Sequence, residues 1–433
     1  MAALRKTIAL GLIFLLPASA WAAGSDPSAG GPPLGTVLLL LLCVAIAYIA
    51  AHLVVDRLQR SFLVISSLEY LLLGIALGPT IPHVPVFRDL SGLFPMIALA
   101  AGWMGLLRGM DLDLRHREES NTGAARLAMT QMICVGGGIA TLSYLLLDHL
   151  PAVRTTWQVN AACAGFLGCC ALTSGTAPIA LLMKRYRVEK TMPAILERLA
   201  HLNDLWAIAI FGILFGVFRE YTPTGALLLS PTEWIVAGAA LGIVLGLLFT
   251  PFLGGEESAN HRFLAMVGII TFASGAAYML RISPIFVNLM LGIALVNTTR
   301  SGAKIRATLE QTQGPINIIL LILAGALWRM PPWELTLGGI ALFVGMRWLL
   351  RYFTGLLATW GTPWRSDTLQ SLSSHGSITV AMAISFRIVY QGALVDVVYS
   401  IILGSVIVHD LVSPRVLRRF LVDVGDIKRE VQA

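Results

Sequence analysis

Charge is scarce in this chain. Only 13% of its 433 residues are Asp, Glu, Lys or Arg, against about 25% in a soluble domain, while 56% are hydrophobic. A water-soluble globule of this length needs far more polar surface, so that class is excluded. The composition suits a chain that mostly faces lipid. Cysteine is scarce as well. Cys43, Cys134, Cys163, Cys169 and Cys170 lie inside apolar runs, without CxxC or Cys/His spacing. That excludes a disulfide framework or a zinc site and leaves them as small packing residues. HExxH and GxSxG are absent, so no intramembrane enzyme signature is found, and no cofactor is expected.

Long apolar runs are what the chain has in abundance. At about 20 residues per crossing, its length accommodates roughly a dozen transmembrane helices and no large soluble domain. Residues 1–23 read as a secretory signal peptide: Arg5 and Lys6 form the charged start, Ile8 to Leu16 the apolar centre, and Ala18-Ser19-Ala20 the cleavage pattern. Residues 24–35, rich in Gly, Pro and Ser, read as an external linker. Apolar segments follow at 36–55, 62–78, 92–110, 127–147, 158–183, 193–218, 232–253, 263–280, 283–299, 314–328, 335–358, 370–390 and 393–413, thirteen candidate helices. The divisions at Arg281 with Pro284 and at Gln391-Gly392 are the narrowest.

Basic residues test this count. With the mature N-terminus outside and the sides alternating, nineteen Lys and Arg fall on inner loops and the tail 414–433. Six fall outside: Arg88, Arg154, Arg219, Arg281, Arg329 and Arg387. This is the positive-inside bias, which a miscounted helix would scramble. The net charge of +7 therefore reports topology, with a cytoplasmic C-terminus, and not a nucleic-acid partner.

Two spans are unlike ordinary lipid-facing helices. The fifth carries Thr173-Ser174-Gly175-Thr176-Ala177-Pro178, where proline removes a donor, glycine loosens the helix and three hydroxyls can satisfy freed groups or an ion. The twelfth carries Ser371, Ser373, Ser374, His375, Gly376, Ser377 and Thr379. Seven crossings apart, they traverse the membrane in opposite directions. Interrupted helices at corresponding places in inverted halves point to a transporter's midplane ion site; close helix packing through small residues is the alternative.

Of 24 Asp and Glu, Glu69 and Asp204 lie well inside a span, and an ionisable group there is a functional candidate. Asp204 follows Asn203, with His201 one turn earlier, on the helix after the first break. Burial penalises its charged form, and either a proton or a cation removes the penalty. One carboxylate can therefore hold one or the other. Glu69 reads as a structural or interface group. Arg347 and Arg351, at i and i+4 in the eleventh span, are free to pair with Glu69 or Asp204 or to snorkel. His375 reads either as a pH-sensing group or as hydrogen-bonded packing.

Over 36–413 the chain resembles the monovalent cation:proton antiporter superfamily. The resemblance rests on Gly74-Ile75-Ala76-Leu77-Gly78-Pro79, Met110-Asp111-Leu112-Asp113-Leu114, the TSGTAP stretch, Leu202-Asn203-Asp204-Leu205, Ser283-Pro284-Ile285 through Leu291-Gly292 to Val296-Asn297-Thr298, and Ser374-His375-Gly376-Ser377. It implies an all-α membrane protein of about thirteen helices, with inverted repeats, two broken crossing helices, and a core moving against a dimerisation part in a homodimer. It makes Asp204 the carrier, with Asn203 beside it, an Asn-Asp pair that goes with electroneutral members. Two departures stand out: Ala177-Pro178 replaces the usual Asp-Pro, and His375 replaces the usual arginine.

Together these readings describe a non-enzymatic antiporter of a bacterial inner membrane, exchanging Na⁺, Li⁺ or K⁺ for H⁺. Asp204 would bind the metal cation, with Asn203, Thr173, Ser174 and Thr176 as oxygen ligands and Gly175, Ser374, His375, Arg347 and Glu69 in support. A K⁺/H⁺ antiporter or efflux protein on the same scaffold, and a transport-inactive membrane sensor or subunit, are the competing readings.

Overall fold

The protein is described here from a computed structural model covering residues 68–78, 93–115, 122–149, 155–186, 188, 191–218, 229–255, 258–299, 301–360 and 367–427. The expected signal peptide, the linker and the first span lie outside the described residues. Among those residues all the regular secondary structure is helical, save one isolated bridge between Val188 and Ile427. The helices are α1 (Leu68–Leu77), α2 (Phe94–Gly109), α3 (Thr122–Gln131), α4 (Gly138–His149), α5 (Trp157–Leu172), α6 (Ala177–Arg185), α7 (Thr191–Val217), α8 (Pro231–Gly255), α9 (Ala259–Met279), α10 (Pro284–Thr298), α11 (Gly302–Ala326), α12 (Trp333–Thr359), α13 (Thr368–Ser371), α14 (Ser377–Val389) and α15 (Ala393–Val424). A π-helical turn, Met132–Gly137, joins α3 to α4.

Among the described residues, seven helical stretches are long and apolar enough to cross a membrane, including Met192–Val217 and Trp333–Thr359. The 27 residues of α7 reach about 40 Å at 1.5 Å per residue, more than a hydrocarbon core of about 30 Å requires. The two narrow divisions are real breaks. Arg281 adopts φ 51° just before Pro284 opens α10, and Gly392 adopts φ 137° just before α15.

Two helices outrun their apolar cores. α11 begins at Gly302, well before the expected 314, its first turns carrying polar pairing in place of an apolar run. Arg306 Nε donates to Glu310 Oε1 at 2.7 Å. α15 continues to Val424, so the expected tail 414–433 is in large part a packed helix. Its Leu417, Phe420 and Leu421, at helical spacing, bury against Ile179 and Leu182 of α6 and Leu196 of α7.

The helix order around the site follows from small residues. α2 packs on α10, where Gly109 and Gly292 face each other. A Cβ on Gly292 would stand 2.5 Å from the Leu106 carbonyl oxygen. Such close backbone approach is how membrane helices associate without a hydrophobic drive. α12 shows the reverse of soluble amphipathicity. Leu342, Leu349, Phe353 and Leu356 are exposed, as lipid-facing residues must be, while Arg347, Arg351 and Thr354 are buried. An aromatic cluster, with Phe166 stacked on Phe386 at 4.2 Å, fixes α5 against α14.

Candidate functional site

Both expected breaks exist, and they cross. α5 stops at Leu172 and α6 starts at Ala177, leaving 173–176 non-helical; Pro178 then sits in the first turn of α6, where its missing donor costs nothing. α13 stops at Ser371 and α14 starts at Ser377. The unwound strands touch through backbone: Gly175 N donates to Ser374 O at 3.0 Å, and Ser374 Oγ donates to Gly175 O at 2.7 Å. A Cβ at Gly175 would lie 2.5 Å from the His375 carbonyl oxygen.

Helices that end inside a bilayer leave carbonyls that lipid cannot satisfy. Arg347 and Arg351, both 0% exposed, satisfy them. Arg347 donates from Nε to Ala171 O at 3.0 Å, from Nη1 to Ser373 O at 2.6 Å and from Nη2 to Thr173 O at 2.7 Å. Arg351 donates to Leu372 O, to Ala171 O at 3.1 Å, to Thr173 O at 3.1 Å and to Ser174 Oγ at 3.2 Å. The arginines therefore neither snorkel nor form ion pairs with Glu69 or Asp204. They neutralise the negative ends of α5 and α13, next to the two positions where Ala177 and His375 stand in place of charged residues.

Asp204, 0% exposed, meets the first break directly. Its Oδ1 accepts from Ser174 N at 3.2 Å. Asn203 donates from Nδ2 to Ser174 Oγ at 3.2 Å and to Gln131 Oε1 at 2.9 Å, beside the π turn. Asn203 Oδ1 and Asp204 Oδ2 are buried oxygens that accept no hydrogen bond from the described residues. Oδ2 has instead a charge partner, Arg108 Nε of α2, at 3.2 Å. Arg108 Nη1 also reaches Asp111 Oδ2 at 3.1 Å. Asp111 is held further by Arg306 Nη2 of α11 at 2.8 Å and His201 Nδ1 of α7 at 3.3 Å. A polar cavity of about 200 Å³ borders Arg108, Gly175, Thr176, Gly376, Ser377, Asn317 and Asp410.

The expected site residues divide accordingly. Asp204, Asn203 and Ser174 come together; Gly175 and Ser374 form the crossing, and Thr176 lines the cavity. Thr173 turns away: its hydroxyl donates to Cys170 O at 2.7 Å and shares a hydrogen bond with Thr379 Oγ1 at 2.6 Å. Its carbonyl is taken by both arginines. His375 is buried, 3.1 Å from Ser405 Oγ and 3.3 Å from Arg347 Nη1, and also lines the polar cavity. Glu69 lies in the first turn of α1, which packs on α11 rather than on the break. Sequence reasoning missed Arg108 and Gln131, and took Asp111 only as part of a motif. Arg108 carried a signal, being a charge inside the apolar run 92–110.

A family described as "sodium/hydrogen exchanger, transmembrane" matches residues 41–422. The chain belongs to that family. This sodium/hydrogen exchanger family is one of multi-pass membrane transporters, not enzymes, and its class of activity is monovalent cation/proton exchange. The exchanger fold is also that of the sodium proton antiporter MjNhaP1 from Methanocaldococcus jannaschii. One MjNhaP1 structure superposes with TM-score 0.60 at 14% identity, covering 89% of this chain and 99% of that one. A second, an electron-microscopy structure, gives TM-score 0.58 at 12% identity, covering 91% and 100%. At such identity the likeness concerns the fold. No curated protein sequence matches the exchanger chain significantly.

Proposed function

We propose that this exchanger carries Na⁺, Li⁺ or K⁺ against H⁺ through Asp204, one cation for one proton and hence electroneutrally, by alternating access in a bacterial inner membrane. The observation that carries this reading is the placement of Asp204: fully buried, in contact with the unwound Ser174 amide, with Oδ2 and the neighbouring Asn203 Oδ1 accepting no hydrogen bond. A hard monovalent cation takes oxygen ligands of this kind. Asp204, Asn203 and Ser174 supply them, with Thr176 on the bordering cavity. The same carboxylate holds the proton when the cation leaves, so the two loads exclude each other. The mature N-terminus lies outside after removal of residues 1–23, the C-terminus is cytoplasmic, and the protein works as a homodimer.

A transport-inactive reading would rest on Ala177 and His375 standing where charged residues are usual. Arg347 and Arg351 bring charge to the same crossing from α12, which supports a working carrier. The test is a panel of Na⁺, Li⁺ and K⁺ against pH in proteoliposomes, with wild type beside Asp204→Asn. Wild type is expected to collapse a ΔpH on cation addition, to an extent indifferent to an imposed membrane potential. Full exchange by Asp204→Asn would overturn the carrier assignment, and a response to K⁺ alone would favour the potassium branch.

A further inference from the structure

We propose that Arg108 is a resident cation that competes with the transported ion for Asp204 and latches the unloaded carboxylate to α2. The inference rests on Asp204 being the carrier assigned above.

The geometry is that of a displaceable partner. Arg108 Nε stands 3.2 Å from Asp204 Oδ2, yet Oδ2 accepts no aligned hydrogen bond. The attraction is therefore one of charge alone, which a small point charge on Oδ2 replaces. Where a guanidinium makes its full fork to a carboxylate, two aligned bonds resist such exchange. Arg108 also borders the polar cavity lined by Thr176 and Asp410, so a cation in that space lies next to the arginine side of the pair.

The guanidinium has somewhere to stay when displaced. Its Nη1 is held 3.1 Å from Asp111 Oδ2, and Asp111 is tied to Arg306 of α11 and His201 of α7. The Arg108 backbone has little freedom, because the next residue, Gly109, is pressed against Gly292 of α10. An arginine fixed on one helix thus meets a carboxylate on another, and only while that carboxylate is charged and unloaded. An unpaired carboxylate at this depth is costly, so the latch holds when neither cation nor proton is present. Either load cancels the attraction and removes this tie of α7 to α2, leaving the contact of His201 with Asp111. That is the condition an exchanger needs if the empty carrier is not to cross.

The experiment compares wild type, Arg108→Gln, Arg108→Lys and Asp111→Asn. Two readouts are used: apparent KM for Na⁺ and Li⁺ in proteoliposome exchange, and cation-induced thermal stabilisation of the purified protein. Arg108→Gln removes the competitor, so apparent KM falls roughly tenfold and stabilisation appears at correspondingly lower cation. Arg108→Lys keeps the charge and stays near wild type. Asp111→Asn frees Arg108 to bind Asp204 more strongly, so KM rises severalfold. It also keeps the test decisive where Arg108→Gln fails to fold. An unchanged or raised KM in folded Arg108→Gln, or a KM lowered by Asp111→Asn, overturns the proposal while the carrier assignment stands. A wild-type chain that exchanges no monovalent cation overturns that assignment, and the latch with it.

Discussion

Gly175 and Ser374 exchange hydrogen bonds across the point where the two broken helices meet, amide to carbonyl at 3.0 Å and hydroxyl to carbonyl at 2.7 Å. Each unwound strand thereby satisfies part of the other's backbone at a depth where lipid offers nothing. The two breaks form one unit, and damage to either strand is expected to reach both.

Gly175→Ala tests this. Its Cβ would come within 2.5 Å of the His375 carbonyl oxygen, a backbone atom that cannot rotate aside. The substitution is expected to lower the Tm by on the order of 5 °C or more. Ser374→Ala, which deletes one hydrogen bond worth about 1 kcal/mol, should do less. A thiol-reactive dye reads the transition, because Cys163, Cys169 and Cys170 are buried until the fold opens.

Arg347→Met leaves the buried Ser373 carbonyl without its donor, and Ala171 and Thr173 with Arg351 alone, and is expected to cost about 1–3 kcal/mol. Arg347→Lys should rescue little of this, since an ammonium lacks the planar fork that reaches Ala171, Thr173 and Ser373 together. Yield of monodisperse protein and Tm measure both. Full rescue by lysine would mean that charge alone, not the fork, serves the helix ends.

Ser174 and Thr173 should part company in kinetics. The Ser174 hydroxyl lies between Asn203 and Arg351 beside the carboxylate, whereas the Thr173 hydroxyl faces Thr379 and the Cys170 carbonyl. Ser174→Ala is expected to raise the apparent KM for Na⁺ by about three- to tenfold, equivalent to the loss of roughly 1 kcal/mol. Thr173→Val should act mainly on stability. Equal KM effects in the exchange assay would restore Thr173 as a ligand.

Asp204→Asn should keep the fold and lose the ligand response. The amide can still accept from Ser174 N, so the Tm without cation is expected to stay within a few degrees of wild type, while stabilisation by Na⁺ or Li⁺ disappears. Retained stabilisation would place the cation elsewhere.

Much of this was legible in the chain itself. Hydropathy located the apolar helices that fall within the described residues, Pro178 and the Ser/Thr/Gly clusters located both breaks, and the scarcity of deep acids singled out Asp204. What stayed hidden depends on partners distant in sequence. No spacing rule joins Arg108 to Asp204 or Arg351 to Ala171, since those meetings exist only once α2, α5, α7 and α12 have packed. The direction of the Thr173 hydroxyl was hidden for the same reason: it is decided by α14 and the Cys170 carbonyl. The extra turns of α11 and α15 escaped because their charged residues lower the mean hydropathy, leaving as signals only pairs such as Arg306 with Glu310 and the helical spacing of Leu417, Phe420 and Leu421.

The inward arginines of α12 also bear on how the protein is made. A helix delivered alone to the bilayer meets a penalty of about 2.5–3.5 kcal/mol for each arginine near its centre, and α12 carries Arg347 and Arg351 one turn apart. Its lipid-facing leucines and phenylalanines offset part of that. The rest is recovered when the guanidiniums reach the open end of α5, which precedes α12 in the chain and is synthesised first. Membrane integration of α12 should therefore depend on α5 already being in place. A truncated chain carrying α12 without α5 would then insert poorly, while the same segment with both arginines replaced by leucine would insert unaided.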